Sequence, residues 1–256
     1  MLKREVRHRG RGMSAKLHWE TDKLFKLGDY SFTLDYGLGG SKRLSEDYNF
    51  TVMKTRGFFS HYEGLVDRGF KRILELGVYQ GGSFAFLDQL LSPDRISAVE
   101  LNTTPIPALD KYVAERADRA RLYYGHSQDD VAFLEEIVAK DFGGELDLVV
   151  DDASHFYEQT RTAFKTLFPR LRPGGVYMIE DWSWSFESAF QDPSNAWYHI
   201  PSLTNLMVDL MEDMATGPLI SDILVTRPML TITRSAARSG TFLETHVRRG
   251  RETVLL

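Results

Sequence analysis

Residues 72–83 read RILELGVYQGGS, and the order of residue types in that stretch sets the architecture of the chain. Arg72–Leu76 is a five-residue aliphatic run, short enough for a strand buried on both faces. Gly77 breaks it, and the pair Gly81-Gly82 opens a segment in which Phe84, Leu87 and Leu91 recur at helical spacing. Strand, glycine turn, helix is the unit of a parallel sheet. It repeats outward: Ile96–Glu100, Arg121–Tyr124, Leu146–Val150 and Val176–Ile179 are further short apolar runs. Between them Val131, Leu134 and Val138 mark one helix. Ala163, Phe164, Leu167 and Leu171 mark another, which Pro173-Gly174-Gly175 is expected to stop. Leu203, Leu206, Met207, Leu210 and Met214 give a last helix, and Ile223–Thr226 and Met229–Thr233 flank Arg227-Pro228 as a sixth strand turning into an antiparallel seventh. The expected fold is α/β and Rossmann-like: seven strands, mostly parallel, the last antiparallel, with helices on both faces. Residues 1–60 are read as an arm or cap that could serve oligomerisation, and 61–256 as one domain.

Composition narrows the classes. The chain has 256 residues, 43% of them hydrophobic and 26% charged, which suits one globular α/β domain. A net charge of −5 argues against a nucleic-acid partner, and no apolar run approaches the roughly 20 residues that span a bilayer. The absence of cysteine excludes disulfides, zinc–thiolate sites and thiol nucleophiles, and fits a cytoplasmic protein. The basic start, MLKREVRHRGRGMSAK, reads as a solvated arm or as an arm packing on a sister subunit of a homo-oligomer.

Ligands of open α/β sheets bind beyond the carboxyl ends of the strands. There Gly77 lets a ligand approach the backbone, and Gly81 and Gly82 leave helix-start N–H groups free for a carboxylate. Glu100 ends the second run and can accept from both hydroxyls of a ribose. A nicotinamide dinucleotide would also use such an acid. However, G-x-x-x-G-G lacks the pyrophosphate turn of G-x-G-x-x-G, so S-adenosylmethionine (SAM) is the favoured ligand. The residues expected around it are Glu75, Gly77, Tyr79, Gly81, Ser83, Glu100, Gln128, Asp129 and Asp151. Asp129 stands first and Gln128 second for the adenine amino group; equally, Asp129 and Asp130 fit as caps of the next helix.

Two acidic clusters end neighbouring strands: Asp151-Asp152-Ala153-Ser154-His155 and Glu180-Asp181-Trp182. Asp152, Glu180 and Asp181 form an oxygen-rich set suited to a hard cation such as Mg²⁺, since carboxylates so close repel unless a cation holds them. The bland alternative is a helix cap beside a surface acid pair. His155 suits a general base, or a histidine bonded to a backbone carbonyl. Trp182, Trp184 and Trp197 in the aromatic stretch that follows either stack on an acceptor or pack the core.

DDASH with IEDW, the glycine loop LELGVYQGGS and His61-Tyr62-Glu63 resemble the macrocin and mycinamicin sugar O-methyltransferases, class I SAM-dependent enzymes related to the rhamnosyl O-methyltransferase and cephalosporin hydroxylase-like families. The resemblance runs from about Asn49 to Asp181, although GHSQD at 125–129 departs from the family's G-D-Q-x-D. It implies a Mg²⁺-dependent enzyme that methylates a sugar hydroxyl of a glycosylated natural product, leaving S-adenosylhomocysteine. Asp152, Glu180 and Asp181 would hold the metal and His155 would be the base. Methylation of a small catechol-like diol, methyl transfer to nitrogen or carbon, and a non-catalytic accessory role are the competing expectations.

Overall fold

A computed structural model describes residues 17–35, 43–237, 239, 240 and 243; the basic arm 1–16 lies outside them. The described chain begins with a small sheet that the apolar-run reading did not resolve. Strands β1 (His18–Thr21), β2 (Leu24–Leu27) and β3 (Tyr30–Leu34) pair antiparallel, and β4 (Asn49–Val52) adds to β3 in parallel, in the order β1-β2-β3-β4. Alternation explains β3: Tyr30, Phe32 and Leu34 are buried while Ser31 and Thr33 are partly exposed. Helix α1 (Arg56–Glu63) follows and buries Phe58, Phe59 and Tyr62.

The main sheet then builds through β5 (Arg72–Leu76), α2 (Gly82–Leu91), β6 (Arg95–Glu100), α3 (Pro107–Ala114), β7 (Ala120–Tyr124), α4 (Val131–Phe142), β8 (Leu146–Asp151), α5 (Tyr157–Leu167), β9 (Leu171–Glu180), α6 (Thr204–Thr216), β10 (Ile220–Val225) and β11 (Met229–Arg234). Its order is β10-β11-β9-β8-β5-β6-β7, parallel except for β11, which is antiparallel to both neighbours. The strand order reverses at β5, whose partners are β6 and β8. The seven-stranded α/β architecture expected from the apolar runs is therefore present.

One boundary differs from expectation. Pro173-Gly174-Gly175 does not end α5, which stops at Leu167 with a short 3₁₀ turn at Phe168–Arg170. It lies inside β9, where the pairing jumps from Leu146–Leu171 to Leu148–Val176. A proline cannot donate to a ladder, so the stretch survives as an irregularity at the strand's beginning.

Period-two alternation divides the core into two layers. Ile73, Ile96, Leu148, Val150 and Met178 face α1, α2, α3 and the small sheet. Leu74, Leu76, Val99, Val149 and Ile179 face α4, α5 and α6. No helix among the described residues is long and apolar enough to cross a membrane.

Two close approaches tie the layers to the ligand end. A Cβ on Gly77, whose φ is +81°, would lie 2.3 Å from the carbonyl oxygen of Asp152, so only glycine lets the ends of β5 and β8 meet. A Cβ on Gly82 would lie 2.2 Å from the Thr51 carbonyl oxygen, so the small sheet sits directly on the start of α2. Gly82→Ala should consequently lower stability by about 2 kcal/mol or more, the cost of overpacking against backbone. Gly57→Ala, where the new Cβ meets only Thr55 Oγ1 at 3.7 Å, is the control. Equal urea midpoints for the two variants would refute the contact.

Glu75 is fully buried on the inner face of β5. Burial pushes its carboxyl up to about 8, against the pull of the Ser83 hydroxyl and the Lys54 ammonium. An unfolded glutamate loses its proton near 4.5. Between those two values the folded chain holds a proton that the unfolded chain has released, so stability falls as pH rises through this window. Glu75→Gln removes that dependence: its melting temperature should gain on the parent steadily from pH 5 to pH 8, by an amount on the order of a few kcal/mol in stability. Parallel melting curves across the range would show that Glu75 titrates normally.

Candidate active site

The carboxyl ends of β5, β6, β7 and β8, closed over by residues 51–54, enclose a cavity of about 320 Å³. Along one wall run Gly77, Val78, Tyr79, Gly82 and Ser83, with Glu100 and Leu101 from the end of β6 and His126, Ser127 and Gln128 after β7. Along the other lie Lys54, Asp152, Ala153, Ser154, His155 and Asp181. The glycine turn and the acidic ends thus share one space.

Several expected ligand residues take up the positions that the sequence suggested. Glu100 Oε2 accepts from Val78 N at 3.0 Å and Oε1 from Asn102 N at 2.8 Å, which fixes the carboxylate beside the glycine turn. Gly77, Tyr79 and Ser83 line the cavity. Others sit elsewhere. Glu75 lies beneath the cavity in the inner core, and Gly81, packed against Leu109, is not in the lining. Asp151 is buried on the outer face, where its Oδ2 accepts the Tyr177 hydroxyl at 2.8 Å and the Gln128 amide. Burial pushes Asp151 up to about 7, opposed by the Tyr177 hydroxyl.

Gln128 ties the third loop to the fourth: Nε2 donates to Asp151 and Oε1 accepts from Ser154 N at 2.7 Å. Asp129 is exposed, outside the lining, and takes the Ser127 hydroxyl. The helix cap is Asp130, whose Oδ1 accepts from Phe133 N. The wall offers His126 instead, its ring stacked on Phe133 with centroids 3.5 Å apart and 4° between planes. An imidazole two residues before Gln128 carried no periodic signal, so sequence reasoning passed over it.

At the acidic end, Asp152, His155 and Asp181 each bring a ligand atom to within 4.8 Å of the others. His155 Nε2 stands 3.8 Å from Asp152 Oδ1. His155 and Asp181 both occupy the left-handed region, with φ of +59° and +49°. Such conformations cost energy in residues with a Cβ and collect at functional sites. Burial and the Asp152 charge raise the Asp181 carboxyl, while His155 opposes them.

Glu180, expected with this group as a third ligand, is placed otherwise. Its Oε2 lies 2.5 Å from Lys54 Nζ and its Oε1 receives the Tyr62 hydroxyl, all three side chains being buried. Lys54 Nζ also lies 2.5 Å from Asp152 Oδ2. Burial alone would lower the ammonium, but Asp152 and Glu180 override it and hold it above its ordinary value. Burial and the neighbouring Asp152 charge push the Glu180 carboxyl upward. Sequence reasoning missed Lys54. The signal was electrostatic: several acids meeting in a core require a cation, and a lysine stands just before the His61-Tyr62-Glu63 stretch.

The tryptophans belong to an aromatic segment that packs on itself. Trp184 is buried and donates from Nε1 to the His155 carbonyl at 2.8 Å. Trp197 meets Trp184, Phe156 and Phe190 at centroid distances of 5.4, 4.9 and 5.3 Å. Trp182 donates from Nε1 to the Thr226 carbonyl. None of Trp182, Trp184 and Trp197 is in the cavity lining; packing takes all three.

Residues 74–182 match the family model described as a methyltransferase domain. Demethylmacrocin O-methyltransferase of Streptomyces fradiae is 32% identical over 188 residues, which is 64% of this chain and 44% of that protein. A rhamnosyl-tetracenomycin C 3'-O-methyltransferase of Streptomyces olivaceus is 39% identical over 117 residues, 43% of this chain and 27% of that one. The chain thus spans less than half the length of these curated relatives. MycE, a methyltransferase of the mycinamycin biosynthetic pathway solved with Mg and SAH, superposes with a TM-score of 0.54 at 23% identity over 71% of this chain and 49% of its own. At that identity the likeness speaks to the fold alone. From within β5 to just beyond β9 this chain matches a methyltransferase domain, and it resembles the macrocin, mycinamicin and tetracenomycin O-methyltransferases.

Proposed function

We propose that the protein is a SAM-dependent, Mg²⁺-dependent O-methyltransferase whose acceptor is a sugar hydroxyl on a glycosylated natural product. One observation carries the reading: the glycine turn with Glu100 and the Asp152–His155–Asp181 group line the same cavity. A methyl donor bound at the first would therefore end beside the second. The relatives named for macrocin and rhamnosyl-tetracenomycin direct the acceptor to a sugar.

The residues suit both ligands. Glu100, already fixed by two backbone N–H groups, has lone pairs left for ribose hydroxyls. Asp152 and Asp181 offer hard oxygen donors beside an imidazole, the donor chemistry that a divalent cation takes when it must keep open positions. When bound, SAM supplies an activated methyl group, and Mg²⁺ lowers the pKa of a ligated hydroxyl.

The chain's own residues do the rest. His155 takes the proton from the acceptor hydroxyl at Nε2, the nitrogen that faces Asp152. Trp184 holds the His155 carbonyl and so keeps the ring at the cavity edge despite its left-handed backbone. A cavity of about 320 Å³ is small for two substrates. The aglycone would stay outside while its sugar reaches in.

His155→Ala should reduce turnover by roughly a hundredfold or more at neutral pH. Activity near the parent's would remove His155 from the role of base. Turnover with a purified glycoside should vanish in EDTA and return with Mg²⁺; undiminished turnover by protein shown to be metal-free would dispose of the cation. Trp184→Phe keeps an aromatic ring in the packed segment but deletes the N–H to His155. Its kcat should fall about tenfold with KM little changed, the loss of one buried hydrogen bond. Parallel assays against glycosides and catechols test the acceptor class, and faster turnover of a catechol would overturn the sugar assignment.

A further inference from the structure

The methyl donor is a row of chemical parts, and the strand ends meet them in order. Along the carboxyl edge of the sheet the neighbours run β8, β5, β6, β7. Asp152 and His155, beside which the methyl would lie, follow β8, and the glycine turn follows β5. Glu100 ends β6, and His126, Ser127 and Gln128 follow β7. In SAM the sulfonium hangs from one side of the ribose and the base from the other. With the methyl at the β8 end and the ribose on Glu100, the base falls at the β7 end. His126 N donates to the Glu100 carbonyl at 3.2 Å, so the loops after β6 and β7 meet there. Leu101, mostly exposed and part of the cavity lining, supplies apolar surface for the face of a base.

A base also has a hydrogen-bonding edge, and the wall after β7 has three polar side chains to meet it. Gln128 is buried with both ends of its amide engaged, Nε2 by Asp151 and Oε1 by Ser154 N. The Ser127 hydroxyl donates to Asp129. His126 is left. Its ring lies flat on Phe133, 4° from parallel, which fixes its plane. Its Nδ1 stands 3.6 Å from Oδ2 of Asp130, the cap of α4. A negative charge on that side favours the ring proton on Nδ1, and a neutral imidazole so protonated has Nε2 as an acceptor. No hydrogen bond among the described residues uses Nε2. An acceptor suits the 6-amino group of adenine and opposes the 6-keto oxygen of hypoxanthine. We propose that His126 is a specificity-determining residue that reads the 6-amino group of the donor's adenine through Nε2. The proposal rests on the SAM-dependent reading given above. The family's G-D-Q-x-D carries an acid at this position, so the imidazole is a departure of this chain.

Two product analogues test this by titration calorimetry at about pH 8, where an ordinary imidazole is neutral. One is S-adenosylhomocysteine; the other is S-inosylhomocysteine, which carries a keto oxygen in place of the 6-amino group. Neither acceptor nor metal is needed. The parent is compared with His126→Phe, His126→Ala and Asp129→Asn. The parent should bind the adenosyl compound about tenfold more tightly than the inosyl compound, or better. His126→Phe keeps a ring on Phe133 but has no acceptor. It should bind the adenosyl compound about tenfold more weakly than the parent, without weakening the inosyl compound, so that the preference disappears. His126→Ala should lose the preference as well. Asp129→Asn should match the parent with both compounds, because Asp129 stands outside the cavity lining.

A preference that survives either substitution of His126 would overturn the proposal, as would a parent that binds the two compounds equally. Loss of the preference in Asp129→Asn would hand the role to Asp129 and do the same. Should one His126 variant fail to fold, the other decides the matter, because the proposal requires the preference to vanish in both. A parent that binds neither compound would remove the donor reading and this proposal with it. A parent that binds and prefers the adenosyl compound, with His126 variants that keep the preference, would remove only the assignment to His126.

Discussion

Carboxylates gathered in a protein interior repel one another and forfeit their hydration, so a cluster of them stands only where positive charge or protons are supplied. That constraint governs the ligand end of this molecule. Asp152, Glu180 and Asp181 meet because β8 and β9 are adjacent and parallel. The ends of β5 and β8 approach so closely that a side chain at residue 77 is excluded. The nearest permanent positive charge arrives from outside the main sheet, on Lys54. The small sheet is therefore a component of the electrostatics of the pocket as well as a cover for α2.

This arrangement distributes the work between rigid and strained elements. The strands carry the acids to within reach of each other, and the two layers of apolar side chains hold the strands. The backbone then bends against its preferences at His155 and Asp181, both of which line the cavity. Fixed bonds around each keep the bend: Asp181 N donates to the Pro228 carbonyl, and the His155 carbonyl accepts from Trp184. Strain of this kind persists only where the surroundings over-determine it.

Much of the fold was legible because the central strands of the main sheet are buried on both faces and so read as compact aliphatic runs. Its ends fell within a few residues of expectation, apart from Val176, where the strand begins earlier through Pro173-Gly174-Gly175. The small sheet was legible in part: Tyr30, Phe32 and Leu34 alternate, and Gly28-Asp29 fits a two-residue hairpin loop, but strands of four or five residues give weak periodicity. At the site, residues whose role depends on chain position, such as Gly77, Glu100, Asp152 and His155, could be placed from strand ends. Residues whose place depends on which face of a strand they occupy could not. Glu75 and Asp151 stand at strand ends like Glu100 but turn into opposite layers of the core. Lys54 and Glu180 pair across 126 positions of chain, a contact that no local pattern encodes.

The aromatic segment that follows the acidic end of β9 constrains attempts to redirect the protein. Residues 183–203 are the natural segment to exchange for that of another methyltransferase, since loops above a sheet carry selectivity. Here, however, the indole of Trp184, near the start of that segment, also clasps the carbonyl of His155. A transplanted loop lacking a donor at that spot would let the imidazole drift while leaving every other residue of the pocket intact. Transplants would have to carry the indole along, and acceptor choice and proton transfer would have to be redesigned as one unit.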